Sequence, residues 1–241
     1  TSLAADSQKA LGRSFDDATL NIREMVRVTD TLTKANTLAN ATIEQFATSL
    51  TTKGGAALKI VNKDIAEGAA VLAVLAMQGV KAQNAGVALN IIMRDLQTKA
   101  VKNKQAFADY GVAVFDSTGK TRHLADVVKD LETGLSHLSH EALKNALLMD
   151  MGLSDKSVIF TQLMIGNSKA IRKFDESLRD AGGTTEEVAN KNMQNILDQL
   201  ILMKNKFADL AITLGQALAP AYEVLIFLGN ILAATLEFII K

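Results

Sequence analysis

Residues 64–96, DIAEGAAVLAVLAMQGVKAQNAGVALNIIMRDL, constrain the fold more than any other stretch of this chain. A helix-like apolar run from Ile65 to Gln78 ends at Gly79, and a second, from Ala82 to Leu96, begins almost at once. Good helix formers fill both runs. Ala and Gly crowd them, so two helix backbones can approach closely wherever those small side chains face each other. The expectation is a tight helical hairpin, with Asn62 as the cap of its first helix and Asp64 complementing that helix's positive end. Other helices would pack on it.

The rest of the composition agrees with a helical body around such a hairpin. The chain has 241 residues and 48% apolar side chains, enough to bury a core in one large or two small domains. Proline occurs once and aromatics make up 5%, with little β-branched alternation, which favours an all-α fold. Twenty-six basic residues balance 26 acidic ones, so there is no strong electrostatic footprint for nucleic acid, and no sequence-specific nucleic-acid partner is expected. Cysteine is absent, which removes disulfides, a thiol nucleophile and Cys-based zinc sites. The chain opens TSLAADS with no apolar signal core and stops inside LEFIIK, so both ends read as cuts in a longer protein.

Taken in order, residues 1–13 are polar and weakly periodic. Ser14 and Asp17 suggest a cap for an amphipathic helix reaching about Asn36, with Leu20, Met25, Val28, Leu32 and Ala35 on its apolar face. Thr42 caps a helix that Gly54-Gly55 interrupts and that resumes to Val61. Past the hairpin, a short helix ends at Tyr110-Gly111. Residues 112–122, VAVFDSTGKTR, place Val112, Val114 and Phe115 beside turn formers and predict a small β-hairpin. Helices follow over about 124–138, after a Ser139 cap to Gly152, after a Ser154 cap to Gly166, and over 169–180 to Gly182-Gly183. From Thr184 a helical pattern runs to Leu218 or beyond, with Pro220 as a start, kink or stop. The expected architecture is a multi-helix bundle with a β-hairpin at 112–122, then a long helix and an apolar C-terminal helix. Its parts would be an N-terminal helical segment 1–36, a compact core 37–183, and a long arm 184–241.

Patterns that carry chemistry are weak. Gly119-Lys120-Thr121 resembles the end of a phosphate-binding loop, but the glycine required five residues earlier is Val114, so a plain turn is the reading. His137 and His140 have helical spacing, yet the expected cap at Ser139 separates them, and a hydrolytic zinc site would need both on one helix plus a placed third ligand. His123 stands apart. No G-x-S-x-G elbow occurs. Asp16-Asp17 and Glu186-Glu187 sit at helix starts, where acids complement the dipole. The basic run 99–104, KAVKNK, lacks interleaved aromatics and reads as a solvated face. Met149, Met151, Met164, Met193 and Met203 read as core fillers. No catalytic, cofactor-binding or metal-binding residue is assigned, and no enzyme activity is expected. The apolar end, 210–240, is long enough to reach across a bilayer. Glu223 and Glu237, however, bracket only 13 uncharged residues, Val224–Leu236, and share a helix face. Packing against another helix fits this segment, and a membrane-active protein inserting 210–240 is the alternative.

In this order the stretches TLTKANTLANATIEQFATSL (31–50), AVLAVLAMQGVKAQNAGVALNIIMRDL (70–96), YGVAVFDSTGKTRHLADVVKDL (110–131), LSHEALKNALLMDMGL (138–153) and ILMKNKFADLAITLGQALAPAYEVL (201–225) resemble the core region of tail tape measure proteins of long-tailed bacteriophages and prophages. Two places depart from the family's habit: Gly86-Val87-Ala88-Leu89-Asn90 where it often has Gly-Thr-Ala-Leu-Arg, and Met151-Gly152 where it often has Phe-Gly. The resemblance implies a structural protein that lies in the lumen of the tail tube, sets tail length, scaffolds tube assembly and leaves when the genome is ejected. It implies copies of itself, the tail tube protein, tail tip or baseplate proteins and tail assembly chaperones as partners. It also implies contact with the host membrane at ejection, and residence in the host cytoplasm during assembly. No cofactor is implied.

Overall fold

Helix starts and stops along this chain follow local side-chain chemistry closely. The computed structural model describes residues 2–138 and 140–240; over 211–240 it describes the backbone together with the side chains of Ile212, Thr213, Gln216, Ile226, Leu228 and Asn230. The helices are α1 (Ser2–Ala10), α2 (Ala18–Leu38), α3 (Ile43–Ser49), a π-helical turn (Leu50–Gly54), α4 (Gly55–Ile60), α5 (Ile65–Met77) and α6 (Ala82–Lys102). After them come α7 (Lys104–Asp109), α8 (Leu124–Leu135), α9 (Glu141–Asp150), α10 (Asp155–Met164), α11 (Ser168–Arg179) and α12 (Thr184–Ile240). Thr42 and Gln45 form a reciprocal cap at the start of α3, and Ser154 caps α10. Gly111, Gly152 and Gly166 end helices at positive φ, as the sequence suggests.

Two caps differ from expectation. Asp17, not Ser14, caps α2, its carboxylate accepting from the Leu20 N–H at 2.8 Å. Asp64, not Asn62, caps α5 by accepting from the Glu67 N–H at 3.0 Å. Asn62 instead turns the chain at φ 51 after α4, a left-handed position that asparagine tolerates. Gly54-Gly55 does not break its helix: the chain widens into the π turn and continues as α4. The expected cap at Ser139 lies outside the described residues. Pro220 neither starts nor stops α12, which runs through it.

The β-hairpin expected at 112–122 does not form. Among the described residues there is no strand; a single antiparallel bridge joins Phe115 and Thr121. The Asp116 carboxylate explains why the loop stays a turn. It accepts from the N–H groups of Thr118 (2.8 Å) and Lys120 (3.0 Å), closing the turn tightly, and the arms are joined by two backbone bonds, Asp116 N–H to the Lys120 carbonyl (2.8 Å) and Arg122 N–H to the Val114 carbonyl (2.9 Å). Val112 and Val114 are held inward as part of the core.

Within Thr1–Thr185, which forms one contact unit, α5 is the central rod. Every residue from Ile65 to Ala76 is buried. It packs mainly on α11, and also on α2, while α6 packs on α3, the π turn, α4 and α10. The expected tight α5–α6 hairpin is therefore a corner: the two axes turn by 120°. The small residues face other partners. A Cβ on Gly86 would lie 2.1 Å from the Ser49 carbonyl oxygen, and one on Gly68 would lie 2.2 Å from Leu58 Cδ1. Close approach is thus spent on α3 and α4. The second contact unit begins at Glu186 and contains α12 from there to Ile240.

Candidate assembly surface

The largest run of apolar side chains left in water lies on α12. Met193, Ile196, Leu197, Leu200, Ile201, Leu202, Met203, Phe207 and Leu210 are each between 51% and 64% exposed. Ala189, Met193, Ile196, Leu200, Met203, Phe207 and Leu210 alternate in steps of four and three, which is the 3.5-residue period of a coiled-coil seam. The sequence keeps that stepping at Leu214, Ala217, Ala221, Val224, Leu228 and Ile231. Boundary signals and breakers do not reveal this alternation, but it is legible to anyone who counts the spacing. Beside the seam, Leu197, Ile201, Ala208 and Ile212 form a second apolar row. At 3.6 residues per turn the two rows together cover an arc of roughly 200°. A two-helix seam is narrower than that, so the face has room for more than one neighbouring helix. Over 196–212 the one charge inside the arc is Lys204, whose alkyl stem can lie along apolar surface.

The start of α12 is held by an acid from another helix. Asp30, buried on α2, accepts from the Gly183 N–H at 2.9 Å and from the Thr185 N–H at 3.0 Å. The Thr33 and Thr185 hydroxyl oxygens lie 3.2 Å apart. Two more helix starts are treated in the same way. Glu132 on α8 accepts from the N–H groups of Gly166 (2.8 Å) and Ser168 (2.9 Å) before α11. Glu67 on α5 accepts from the Leu124 N–H at 2.7 Å, at the start of α8. In each case a carboxylate meets orphan amides and the positive end of a helix dipole.

Glu67 is also the centre of the buried charges. Lys63 Nζ lies 3.1 Å from Glu67 Oε2. His123 accepts from the Ala125 N–H through Nδ1 at 3.1 Å, which leaves Nε2 facing Asp175 Oδ2 at 3.1 Å. The pair is close, though its geometry falls short of a full hydrogen bond. Arg179 bridges Asp175 (2.9 Å) and Asp64 (2.6 Å). Burial raises the Asp175 pKa, but the His123 and Arg179 contacts outweigh it, and the net value lies below the ordinary carboxylate range. Bonding to Asp175 is the main cause that raises the Arg179 pKa above its usual value. Asp95, buried on α6, likewise has burial pushing its pKa up and the Ser154 hydroxyl and Arg94 pulling it below normal. These acids are matched to partners inside the fold, so the network can tie α5, α8 and α11 together but presents no free acid/base pair.

The weaker sequence signals are scattered. Gly119-Lys120-Thr121 lies in the Asp116 turn, where a carboxylate already takes the amides a phosphate would need. His137 lies in the turn after α8 and His140 is the N-cap residue of α9, so they do not share a helix. Asp17 is a cap, and Glu186 and Glu187 fill the first turn of α12. Lys99 and Lys102 lie in the last turn of α6, and Asn103 just beyond it donates to the Met151 carbonyl at 2.9 Å. The methionines divide: Met151 and Met164 are core, whereas Met149, Met193 and Met203 are exposed, against the expectation that all five fill the core. Glu223 and Glu237 have side chains outside the described residues. A groove of about 790 Å³ beside α7 is lined mainly by apolar groups such as Val101, Phe107, Val112 and Phe115 rather than by converging polar side chains.

The family described as phage-related minor tail protein matches residues 1–152, which run from α1 to the end of α9. The tape measure protein of Pneumococcus phage Dp-1 is 23% identical over 217 residues, covering 90% of this chain and 19% of that protein. The chain thus spans about a fifth of the length of this relative. No solved structure matches it. Among the described residues no single helix is long and apolar enough to cross a membrane, and both matches favour a tail component over a protein inserting 210–240.

Proposed function

The chain belongs to the phage-related minor tail protein family, and on that premise we propose that it is a section of a tail tape measure: a length ruler and scaffold for tube assembly, released at genome ejection. Membership makes it a structural tail protein carried in the virion. The observation that carries the finer reading is α12, a 57-residue helix whose described apolar face stands in water. A helix of that length spans about 85 Å, because each residue adds about 1.5 Å. Length in residues then converts linearly to length in space, which is what a ruler requires.

In this reading 37–183 is a compact core, 1–36 a helical segment leading into it, and 184–241 the arm. Copies of the chain associate through the seam on α12, and tail tube subunits polymerise around them. Tip or baseplate proteins hold one end, and assembly chaperones keep the apolar face from aggregating in the host cytoplasm. The working location is the tube lumen, and the apolar arm meets the host membrane at ejection.

Removing seven-residue blocks from the arm, in frame and in the full-length protein, tests the ruler. Each block should shorten tails seen by electron microscopy by about 10 Å, from the helical rise. Tails of unchanged length would overturn it.

A further inference from the structure

The turn between α11 and α12 is built as a joint, fastened from α2 by the Asp30 carboxylate with the Thr33 hydroxyl beside it. Only Asp180, Ala181, Gly182 and Gly183 separate the two helices. Gly183 needs its positive φ of 78°. Gly182 has no such need: its φ is ordinary, and a Cβ added there would meet nothing within 4 Å. Neither packing nor backbone geometry demands glycine at 182. What the adjacent pair supplies is rotational freedom.

Against that freedom stands Asp30. Its carboxylate, 5% exposed, accepts from Gly183 and Thr185 on the far side of the joint. A cavity of about 260 Å³ beside the turn is lined by Asp30, Arg27, Asp64, Arg179 and Gly182. A carboxylate that let go of the two amides would face Ala66, Leu178 and Ala181 and two guanidinium groups, Arg27 paired with Glu24 and Arg179 with Asp64 and Asp175. The positive charge of those two groups gives a released carboxylate an alternative to its amides, by sharing or exchanging their partners, and a two-state element needs such an alternative.

We propose that Asp30 is a latch on a Gly182–Gly183 hinge: engaged, it holds the first turn of α12 on α2, and disengaged, it turns to Arg27 and Arg179 and frees the joint. The inference does not depend on the ruler reading, since it concerns only how the first turn of the arm is held.

Hydrogen exchange on the full chain, followed by mass spectrometry, tests it. In Asp30→Asn the amides of Gly183 and Thr185 should exchange at least tenfold faster, with the amides of α5 unchanged. Gly182→Ala, which stiffens the joint in a place with room for the methyl group, should slow the same two amides several-fold. Unchanged exchange at Gly183 and Thr185 in Asp30→Asn would overturn the latch, as would acceleration of α5 by the same factor. If Asp30→Asn does not fold, Gly182→Ala alone decides: slowed exchange supports the hinge, and unaltered exchange rejects it.

Discussion

α5 and α12 are made of similar residues and live in opposite surroundings. Both are rich in Ala and Leu, yet α5 is buried from Ile65 to Ala76 while the large apolar side chains of α12 between 193 and 210 are more than half exposed. The difference lies in how the apolar groups are arranged around each helix. α5 is apolar on all sides, with Glu67 as its one acid, so the chain must surround it with other helices. α12 carries Asp198, Lys206 and Asp209 on the side away from its apolar rows, with Lys204 alone inside them. Water can wet one side of it, while the remaining arc calls for a partner. One helix organises a folding core, and the other carries its core on the outside.

The sharpest way to break this contrast is to attack the buried acid. Glu67→Ala removes the acceptor for the Leu124 N–H and the partner of Lys63, leaving a nearly buried ammonium unpaired. Breaking such a pair typically costs about 3–5 kcal/mol, so urea unfolding of the body should show a large drop in midpoint. A change under about 1 kcal/mol, the scale of an exposed pair, would mean that α5 is not the keystone. Next comes Gly86→Val, which pushes side-chain carbon against the Ser49 backbone; overpacking of this kind costs about 1–3 kcal/mol. If the variant melts like the parent, the close approach of α6 to α3 is not what holds the corner.

Acid should loosen the body by a smaller amount. The folded pKa of Asp175 is depressed, so its contacts stabilise fully above the ordinary carboxylate value of about 3.9 and are lost as pH falls through the lower folded value. Asp95 and Asp126 act in the same direction. Unfolding midpoints should decline below about pH 4, from that reference value, and Asp175→Asn should flatten the decline. A midpoint that rises on acidification would contradict the assignment.

The smallest effect on the body should come from the exposed seam. Leu200→Asp with Phe207→Asp should leave its melting within about 0.5 kcal/mol of the parent, as surface changes do. Sedimentation of the same variant should show self-association weakened at least tenfold. Association at the parent's concentration dependence would remove the seam from the assembly proposal.

Much of this fold is written locally. Thr42 with Gln45, Ser154, Gly111, Gly152 and Gly166 mark helix ends because caps and left-handed stops act within a few residues. The arm was legible for the same reason as far as Leu218, from the scarcity of breakers after Thr184, whereas its continuation through Pro220 as one helix was not. The assembly face was equally available, as the three-four stepping of Met193, Ile196, Leu200, Met203, Phe207 and Leu210, but only to a count of spacing. Other features could not be read locally. The sequence shows that Gly86 and Gly68 permit close approach without saying that Ser49 and Leu58 are what approaches. Val112, Val114 and Phe115 look like a strand because their residue types beside turn formers are a local signal; the Asp116 turn is local as well, in its contacts to Thr118 and Lys120, but the demand of the core for both valines is not.

By itself, then, the sequence determined that the chain is helical, where most of its helices end, and that it carries a long apolar-faced arm, because those outcomes depend on neighbours within a few residues. Only the tertiary structure decided that α5 and α6 form a corner instead of a hairpin. It alone decided that Asp30, Glu67 and Glu132 cap helices to which they do not belong, and that His123 and Arg179 close a network around α5. Partners separated by tens to more than a hundred residues leave no periodic trace in a chain. They are chosen by what packs and by which buried amide or charge still lacks a counterpart.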